Sequence, residues 1–488
     1  MIPALDGRGT LHGQLYRSIR QAILQRTLLP TARLPSTRDL ARQLGRSRNT
    51  VLRAYEQLLA EGYLEGRLGS GTFVTARIPD ESLTVKADSS LQQRLQASRF
   101  KGQLSEYARR VDGPPVGGMP PLDPGLRIDF RYGVPNLQDF PAQAWRTLAA
   151  RTLRRLDKRS LVYGDPAGYR PLREAIVHYV REHRGITCSA DDVIVVNGSQ
   201  QALDIVARTL VDPGDRVLME NPTYPGARAV FAALGAAIDD VRVGSEGLDI
   251  ERVLRLRQRV KLAYVTPSHQ FPTGGVMLLS SRLAFLKWAH DCRTVVVEDD
   301  YDSEYRYGGR PIEAIQSLDT HGQVIYLGTF SKILAPSLRL GYILSPPAIT
   351  PALVRVKAIT DRHASLFNQQ VLADFILSGQ FERHMRRSRT RNAQRRQALL
   401  TALDAAFGDR VRVQGENAGL HVLAWFRNRP AVEAEDIVER AARKGIGVYS
   451  IAPYYHGAPA EAGLLLGYSA LDEYEIVAGV NALAQALR

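Results

Sequence analysis

The stretch Gly328-Thr329-Phe330-Ser331-Lys332-Ile333-Leu334-Ala335-Pro336-Ser337-Leu338-Arg339-Leu340-Gly341-Tyr342 decides the reading of the chain. The apolar run Val324-Ile325-Tyr326-Leu327 leads into it, so a strand ends and delivers a single cation, Lys332, into a turn. Small hydroxyls and apolar residues flank that lysine, and Arg339 follows seven positions later. Desolvation lowers the pKa of an amine and makes it nucleophilic, which suits an imine to an aldehyde beside a bound anion. An ordinary loop lysine with its head in water is the alternative, and this stretch alone leaves both open.

Working outward, residues from Ile128 onward alternate apolar strands with helical stretches. Examples are Val193-Ile194-Val195-Val196 before residues 200–210, Arg216-Val217-Leu218-Met219 before 227–234, and Val295-Val296-Val297. Such alternation predicts a mainly parallel sheet covered on both faces, with ligands at the carboxyl ends of its strands. Asn197-Gly198-Ser199-Gln200 follows one strand and opens a helix, whose free N–H groups attract an anion. In Val297-Glu298-Asp299-Asp300-Tyr301, period-two alternation puts Asp299 and Tyr301 on one face and Glu298 and Asp300 on the other. Asp300 is the nearest rival of Asp299 for any role at that strand end.

The first 76 residues form a separate pattern. Leu15, Ile19, Ala22 and Ile23 recur at helical spacing. Ser36 caps a second short helix that Gly45 stops, and Ser47 caps a third over 48–61. That third helix is expected to turn Val51, Leu52, Tyr55, Leu58 and Leu59 inward and Arg48, Asn49, Thr50 and Arg53 outward. A glycine turn over 66–71 makes a small hairpin, with Arg67 and Gly69 at its tip. Residues 1–80 hold 12 arginines, no lysine and 6 acidic residues, so 12 minus 6 leaves +6 on a small module. A polyanion is the natural partner of that charge.

The whole chain of 488 residues carries +14, has 44% hydrophobic and 23% charged residues, and so is expected to fold as two or three globular units. Only Cys188 and Cys292 occur, which excludes a disulfide framework or a cysteine-rich zinc site and suits a reducing cytoplasm. No apolar leader follows Met1-Ile2-Pro3 and no membrane-length apolar run appears, so no membrane contact and no metal are expected. Residues 77–125 are polar and end in Gly-Pro-Pro and Gly-Gly clusters, which read as a tether. Leu91, Leu95, Phe100, Leu104 and Tyr107 within it suit short docking helices.

Ser331-Lys332 with Arg339 and Gly341-Tyr342 resembles the cofactor-lysine segment of fold-type I pyridoxal-phosphate aminotransferases. Pro35-Ser36, Ser47-Arg48 and Gly69-Ser70-Gly71-Thr72-Phe73-Val74 resemble the GntR-type DNA-binding domain. The two in this order resemble the MocR/GabR transcriptional regulators. The resemblance implies an N-terminal winged helix-turn-helix (1–76), a linker (77–125) and a large α/β domain of the fold-type I aminotransferase type (126–488). The large part of that domain spans about 126–370 and its small part about 371–488. It implies a Schiff base between Lys332 and pyridoxal 5'-phosphate, with the phosphate held by Ser199, Gln200, Ser331 and Arg339, and Thr329 as an addition to that set. It further implies Tyr224 stacked on the ring, Asp299 at the ring nitrogen, Tyr301 at the ring hydroxyl, and Tyr163 lent by the second subunit of a homodimer. By the same resemblance Arg38 and Thr50 meet phosphates of a double-stranded operator, Arg48, Asn49 and Arg53 meet phosphates or base edges, and Gly69 lets the wing approach the minor groove.

Two departures from the aminotransferase pattern stand out. Phe271, in Ser268-His269-Gln270-Phe271-Pro272-Thr273-Gly274, replaces the asparagine that bonds the ring hydroxyl. Leu465, in Gly463-Leu464-Leu465-Leu466-Gly467-Tyr468, takes the place of the arginine that forks onto a substrate carboxylate, for which Arg228 is a candidate substitute. The expectation is a domain used to sense the cofactor or an amine effector rather than to turn over amino acids. An active aminotransferase carrying a DNA-binding module, or a domain that has lost its cofactor, are the alternatives. The run 383–396, with seven arginines, reads first as a solvated helix face and second as a further contact surface.

Overall fold

The computed structural model describes residues 7, 9–67, 69–76, 103–111, 123–156, 158–308 and 313–487. They divide into two compact units, Met1–Gln103 and Leu104–Arg488.

In the first unit, α1 (Leu11–Leu24), α2 (Thr37–Leu44) and α3 (Arg48–Ala60) precede an antiparallel hairpin of β1 (Leu64–Arg67) and β2 (Gly71–Val74). Ser36 and Ser47 each accept a hydrogen bond from a backbone N–H three residues on, Asp39 and Thr50. Such caps satisfy donors that a helix start otherwise leaves bare. Gly45 takes the left-handed conformation (φ 60°) that ends α2. The core gathers Leu15, Ile19, Leu40, Val51, Ala54, Tyr55, Leu58 and Val74. Leu52 and Leu59, expected inward, lie 37% and 38% exposed. The buried stripe of α3 is only Val51-Ala54-Tyr55-Leu58, and residues one position further round the helix fall on its outer face.

Most of the stretch read as a tether lies outside the described residues, and Leu91, Leu95 and Phe100 with it. Leu104 and Tyr107 belong to the second unit, where a short helix, Glu106–Arg110, lies against the sheet's outer helices. The Arg208 guanidinium covers the Tyr107 ring at 5.2 Å.

After the helix Glu106–Arg110 the second unit continues with β3 (Ile128–Asp129) and is built on an eight-stranded sheet. Its strands are β4 (Val193–Val196), β5 (Arg216–Asn221), β6 (Ala237–Gly244), β7 (Gly247–Leu248), β8 (Leu262–Val265), β9 (Val295–Asp300), β10 (Val324–Thr329) and β11 (Gly341–Leu344). The spatial order is β4-β11-β10-β9-β8-β5-β6-β7; β10, β9, β8, β5 and β6 run parallel, while β11 and β7 pair antiparallel. Alternate residues feed different cores. Val193 and Val195 join the cluster with Leu172 and Phe375, whereas Ile194 and Val196 join the one with Leu203 and Phe231. This two-sided burial is why these strands read as unbroken apolar runs.

A smaller antiparallel sheet of β12 (Val411–Gln414), β13 (His421–Phe426), β16 (Ala462–Gly467) and β15 (Tyr449–Ser450), in that order, follows, and β14 (Ile446–Gly447) pairs separately with β3 in parallel. The 28-residue helix Gln380–Phe407 joins the two regions, its C-terminal half packing Leu399, Leu403 and Phe407 into the small core.

Candidate functional site at the carboxyl ends of the strands

Parallel strands end together, so the residues that follow β8, β9 and β10 converge. They surround a cavity of ≈ 170 Å³ whose walls include Tyr132, Ser199, Tyr224, Tyr264, Phe271, Asp299, Tyr301, Lys332 and His421. Lys332 Nζ donates to Gly133 O at 2.8 Å. Gly133 sits at φ +69°, and a Cβ there would lie 2.9 Å from that same Nζ. Glycine at 133 therefore leaves the amine its room. Burial, aided by Arg339, lowers the Lys332 pKa against the opposing pull of Asp302 and Asp299.

Asp299 accepts a 2.7 Å hydrogen bond from the Tyr264 hydroxyl on one oxygen, while its other oxygen, buried, has no partner. Burial lifts this carboxyl to about 6. A buried carboxylate oxygen without a donor is costly, and it marks a place built for an incoming N–H. Asp300, the rival, points to the opposite face, where it pairs with Arg184 at 2.6 Å and accepts from Tyr326 at 2.7 Å. Glu298 accepts the Ile315 and Gln316 N–H groups on that side too.

Tyr301 lies 2.9 Å from His269 Nδ1, which also meets Asp302 at 3.0 and 3.1 Å. A carboxylate only accepts, so Nδ1 carries the hydrogen and Tyr301 can only accept from that nitrogen. Tyr301, which lines the cavity, thereby keeps its own hydroxyl hydrogen for another acceptor. His421 Nε2 donates to Pro272 O at 3.1 Å, and burial followed by His269 lowers its pKa to about 3, so it stays neutral.

The helix Ser199–Leu210 begins at Gly198 (φ 90°) with no side-chain cap. Arg339 reaches over this bare N-terminus, donating to Asn197 O at 2.5 Å. A Cβ on Gly198 would lie 2.7 Å from the guanidinium, so glycine is required for that approach. Bare N–H groups and a fixed guanidinium together make an anion cradle. Thr329 ends β10 and Ser331 lies in the turn after it; both are 8% exposed, and the Ser331 N–H donates to Thr329 Oγ1 at 3.2 Å. The Gln200 side chain is occupied, donating to Gly226 O and accepting from Tyr224, so its backbone N–H is what it offers an anion.

Tyr163 is outside this group: it is 78% exposed beside Leu161 and Val162, with Arg362 over its ring at 5.3 Å. Arg228 is not a spare cation, because it forks onto Asp240 at 2.6 and 2.9 Å. Leu465 is fully buried among Tyr132, Phe271, Leu423, Trp425 and Tyr454. Sequence reasoning missed Tyr132, Gly133, Tyr264, Asp302 and His421. Tyr264 was within reach, since a tyrosine on a buried parallel strand needs a polar partner. The others come from loops and from the small sheet, which no local pattern links to Lys332.

In the first unit, Arg38, Arg48, Asn49 and Arg53 are exposed, whereas Thr50 is half-buried and bonded to Ser47. Arg67 is held on the wing, paired with Glu65 at 2.7 Å and stacked on Phe73 at 4.7 Å. Gly69 turns at φ +73°.

A winged helix joined to a fold-type I aminotransferase-type domain is thus the class that this fold and site define. The family model for aminotransferase class I and II matches residues 129–463, and that for the bacterial regulatory proteins of the gntR family matches residues 11–74. The chain is 39% identical over 481 residues to the probable rhizopine catabolism regulatory protein MocR of Rhizobium meliloti, covering 99% of this chain and 94% of that one. It is 30% identical to the pyridoxine biosynthesis transcriptional regulator PdxR of Corynebacterium glutamicum, covering 94% and 92%. Among solved structures, the α-aminoadipate aminotransferase LysN of Thermus thermophilus, complexed with N-(5'-phosphopyridoxyl)-L-leucine, aligns with a TM-score of 0.72 at 31% identity over 80% of this chain and 98% of that one. The chain belongs to the MocR-type regulators, a GntR-family DNA-binding domain fused to an aminotransferase class I and II domain. No helix among the described residues is long and apolar enough to cross a membrane.

Proposed function

We propose that this protein is a cytoplasmic, pyridoxal-phosphate-dependent transcriptional regulator that senses the cofactor itself or an amine effector and acts on an operator as a homodimer. The observation that carries this reading is the convergence of Lys332 and the unpartnered Asp299 oxygen on one cavity, in a chain whose other unit belongs to a DNA-binding family. The residues fit the group. Lys332 would hold it covalently, Asp299 would hold the ring nitrogen and Tyr301 would donate to the ring hydroxyl. Tyr224 would flank the ring, and Ser199, the Gln200 N–H, Ser331 and Arg339 would take the phosphate. Bound there, the group supplies an aldehyde that captures amines.

Sensing is favoured over turnover because Lys332 is the one Lys or Arg among the described residues lining the cavity, and fully buried Leu465 lies behind its walls Tyr132 and Phe271. Leu465 and its aromatic neighbours offer no cation to orient a carboxylate, and Arg228 is bound to Asp240. The exposed patch Leu161, Val162 and Tyr163 supports a surface for a second copy, through which Tyr163 would reach the neighbouring cradle. Domain limits of 1–76, 77–125 and 126–488 fit this division of labour. The test is a titration with pyridoxal phosphate and candidate amines, following operator affinity together with absorbance at about 420 nm. A cofactor that binds without changing operator affinity would sink the regulatory reading.

Two predictions follow from particular residues. Because burial places Asp299 near pH 6 in the free site, holding a protonated ring nitrogen there must release the Asp299 proton below that pH. Cofactor affinity is expected to fall by about tenfold per pH unit below that value, and Asp299→Asn to be weak at every pH and to lack this dependence. Fluorescence titrations from pH 5 to 8 read both.

Arg48→Ala combined with Arg53→Ala should weaken operator binding by about 1–3 kcal/mol per lost contact and flatten its salt dependence, leaving the cofactor absorbance unchanged. Mobility-shift titrations at several salt concentrations measure this.

A further inference from the structure

The arginine-rich run 383–396 is neither uniformly solvated nor uniformly paired. Arg395 is buried against Asp139 at 2.8 Å, and Arg391 reaches the other oxygen of the same carboxylate. Arg386 pairs with Glu382 and Arg389 donates to Glu304 O. Arg383 and Arg387 remain with no acidic partner among the described residues. With Arg391 they follow at spacings of four, so all three share one face of the helix Gln380–Phe407.

That face is one wall of a cleft of ≈ 530 Å³. The opposite wall is the start of the helix Ala142–Arg154, which contributes Arg146, bonded among the described residues only to neutral Gln143. Asp139 is the one carboxylate among the described residues lining the cleft, and both its oxygens are spent on Arg391 and Arg395. The contrast with the neighbouring polar cavity is informative. There Glu182, Glu304 and Glu382 stand among the arginines, and the field cancels.

We propose that the cleft between the helices Ala142–Arg154 and Gln380–Phe407 is a second ligand site, taking a small molecule that carries a phosphate or pyrophosphate group. Guanidinium groups facing each other across a gap match the oxygens of a multivalent anion, and the volume suits a sugar- or nucleotide-sized molecule. A duplex would instead need an outward-facing row of cations rather than two facing walls. Two more residues of the same helix that line the cleft, His384 and Ser388, reach the cofactor segment. His384 Nε2 donates to Ile333 O at 2.6 Å, and Ser388 bonds the Tyr305 hydroxyl, which donates to Lys332 O at 3.2 Å. An occupant of the cleft therefore sits one side chain away from the backbone of Ile333 and two, through Ser388 and Tyr305, from that of Lys332.

The experiment is calorimetric titration of the full-length protein with sodium pyrophosphate at fixed ionic strength. It compares the wild type with Arg383→Ala/Arg387→Ala and with Arg339→Ala, and runs a parallel titration of each with non-operator duplex DNA. Both substituted arginines of the double variant are exposed, so its melting temperature should match the wild type. Saturable binding that weakens by about tenfold or more in Arg383→Ala/Arg387→Ala and persists in Arg339→Ala is the expected result. Binding lost only in Arg339→Ala would place the anion in the cradle at Ser199 and overturn the proposal. So would unsaturable binding in all variants, or a double variant that loses duplex affinity while keeping pyrophosphate.

Discussion

Lys332→Ala is expected to abolish the absorbance at about 420 nm that pyridoxal phosphate gives when joined to a lysine, and to let the cofactor dialyse away. The physical reason lies in how little else can replace this amine. It is the only lysine among the described residues lining the cavity, its pKa is lowered by burial, and Gly133 leaves it unobstructed. The Ser199–Arg339 cradle and Asp299 are untouched by the substitution, so a weak, reversible association should survive, on the order of 100-fold poorer than in the wild type. Operator binding should lose its response to added pyridoxal phosphate without losing its basal strength, because the DNA-binding unit has its own core and caps. Spectra after dialysis and mobility shifts with and without cofactor measure both. A variant that keeps the band would show that another amine is used.

Arg184→Met should have the largest effect on stability. Its guanidinium is 6% exposed and meets Asp300, 2% exposed, at 2.6 Å. Removing the cation leaves Asp300 buried with the Tyr326 hydroxyl as its remaining donor, a loss of about 3–5 kcal/mol. Replacing both, as Arg184→Met with Asp300→Leu, should restore much of it, since an apolar pair of similar volume leaves no charge to desolvate. Urea melts of the two variants at pH 7 give the comparison. Comparable losses in both would indicate that the packing of Arg184, and not its charge, is what matters.

The distinction between Asp299 and Asp300 illustrates how far local pattern reaches. Alternation along β9 separated the two carboxylates correctly, because a strand has a period of two wherever it lies. It could not say which face held the cavity, since both faces are buried and both carry charge. That answer came from Arg184, 116 residues earlier in the chain, which claims Asp300. The same holds for Leu52 and Leu59 on α3: apolar identity suggested burial, yet the width of the stripe was fixed by what packs against it. The arginine run 383–396 is a third example. Seven cations look alike in the sequence, and only the positions of Asp139, Glu382, Glu304 and Glu416 sort them into paired and free.

By itself the sequence determined the elements, the order of the two units and the segment around Lys332, because strand period, helix caps, charge density and turn residues are all encoded within a few neighbouring positions. Only the tertiary structure decided which side chains share the cavity. Tyr132, Gly133 and His421 join it from segments far from Lys332 in the chain, and Arg228 leaves the reckoning through its pairing with Asp240. A cavity wall is assembled by packing between distant segments, and its polar partners are settled by which charges meet there.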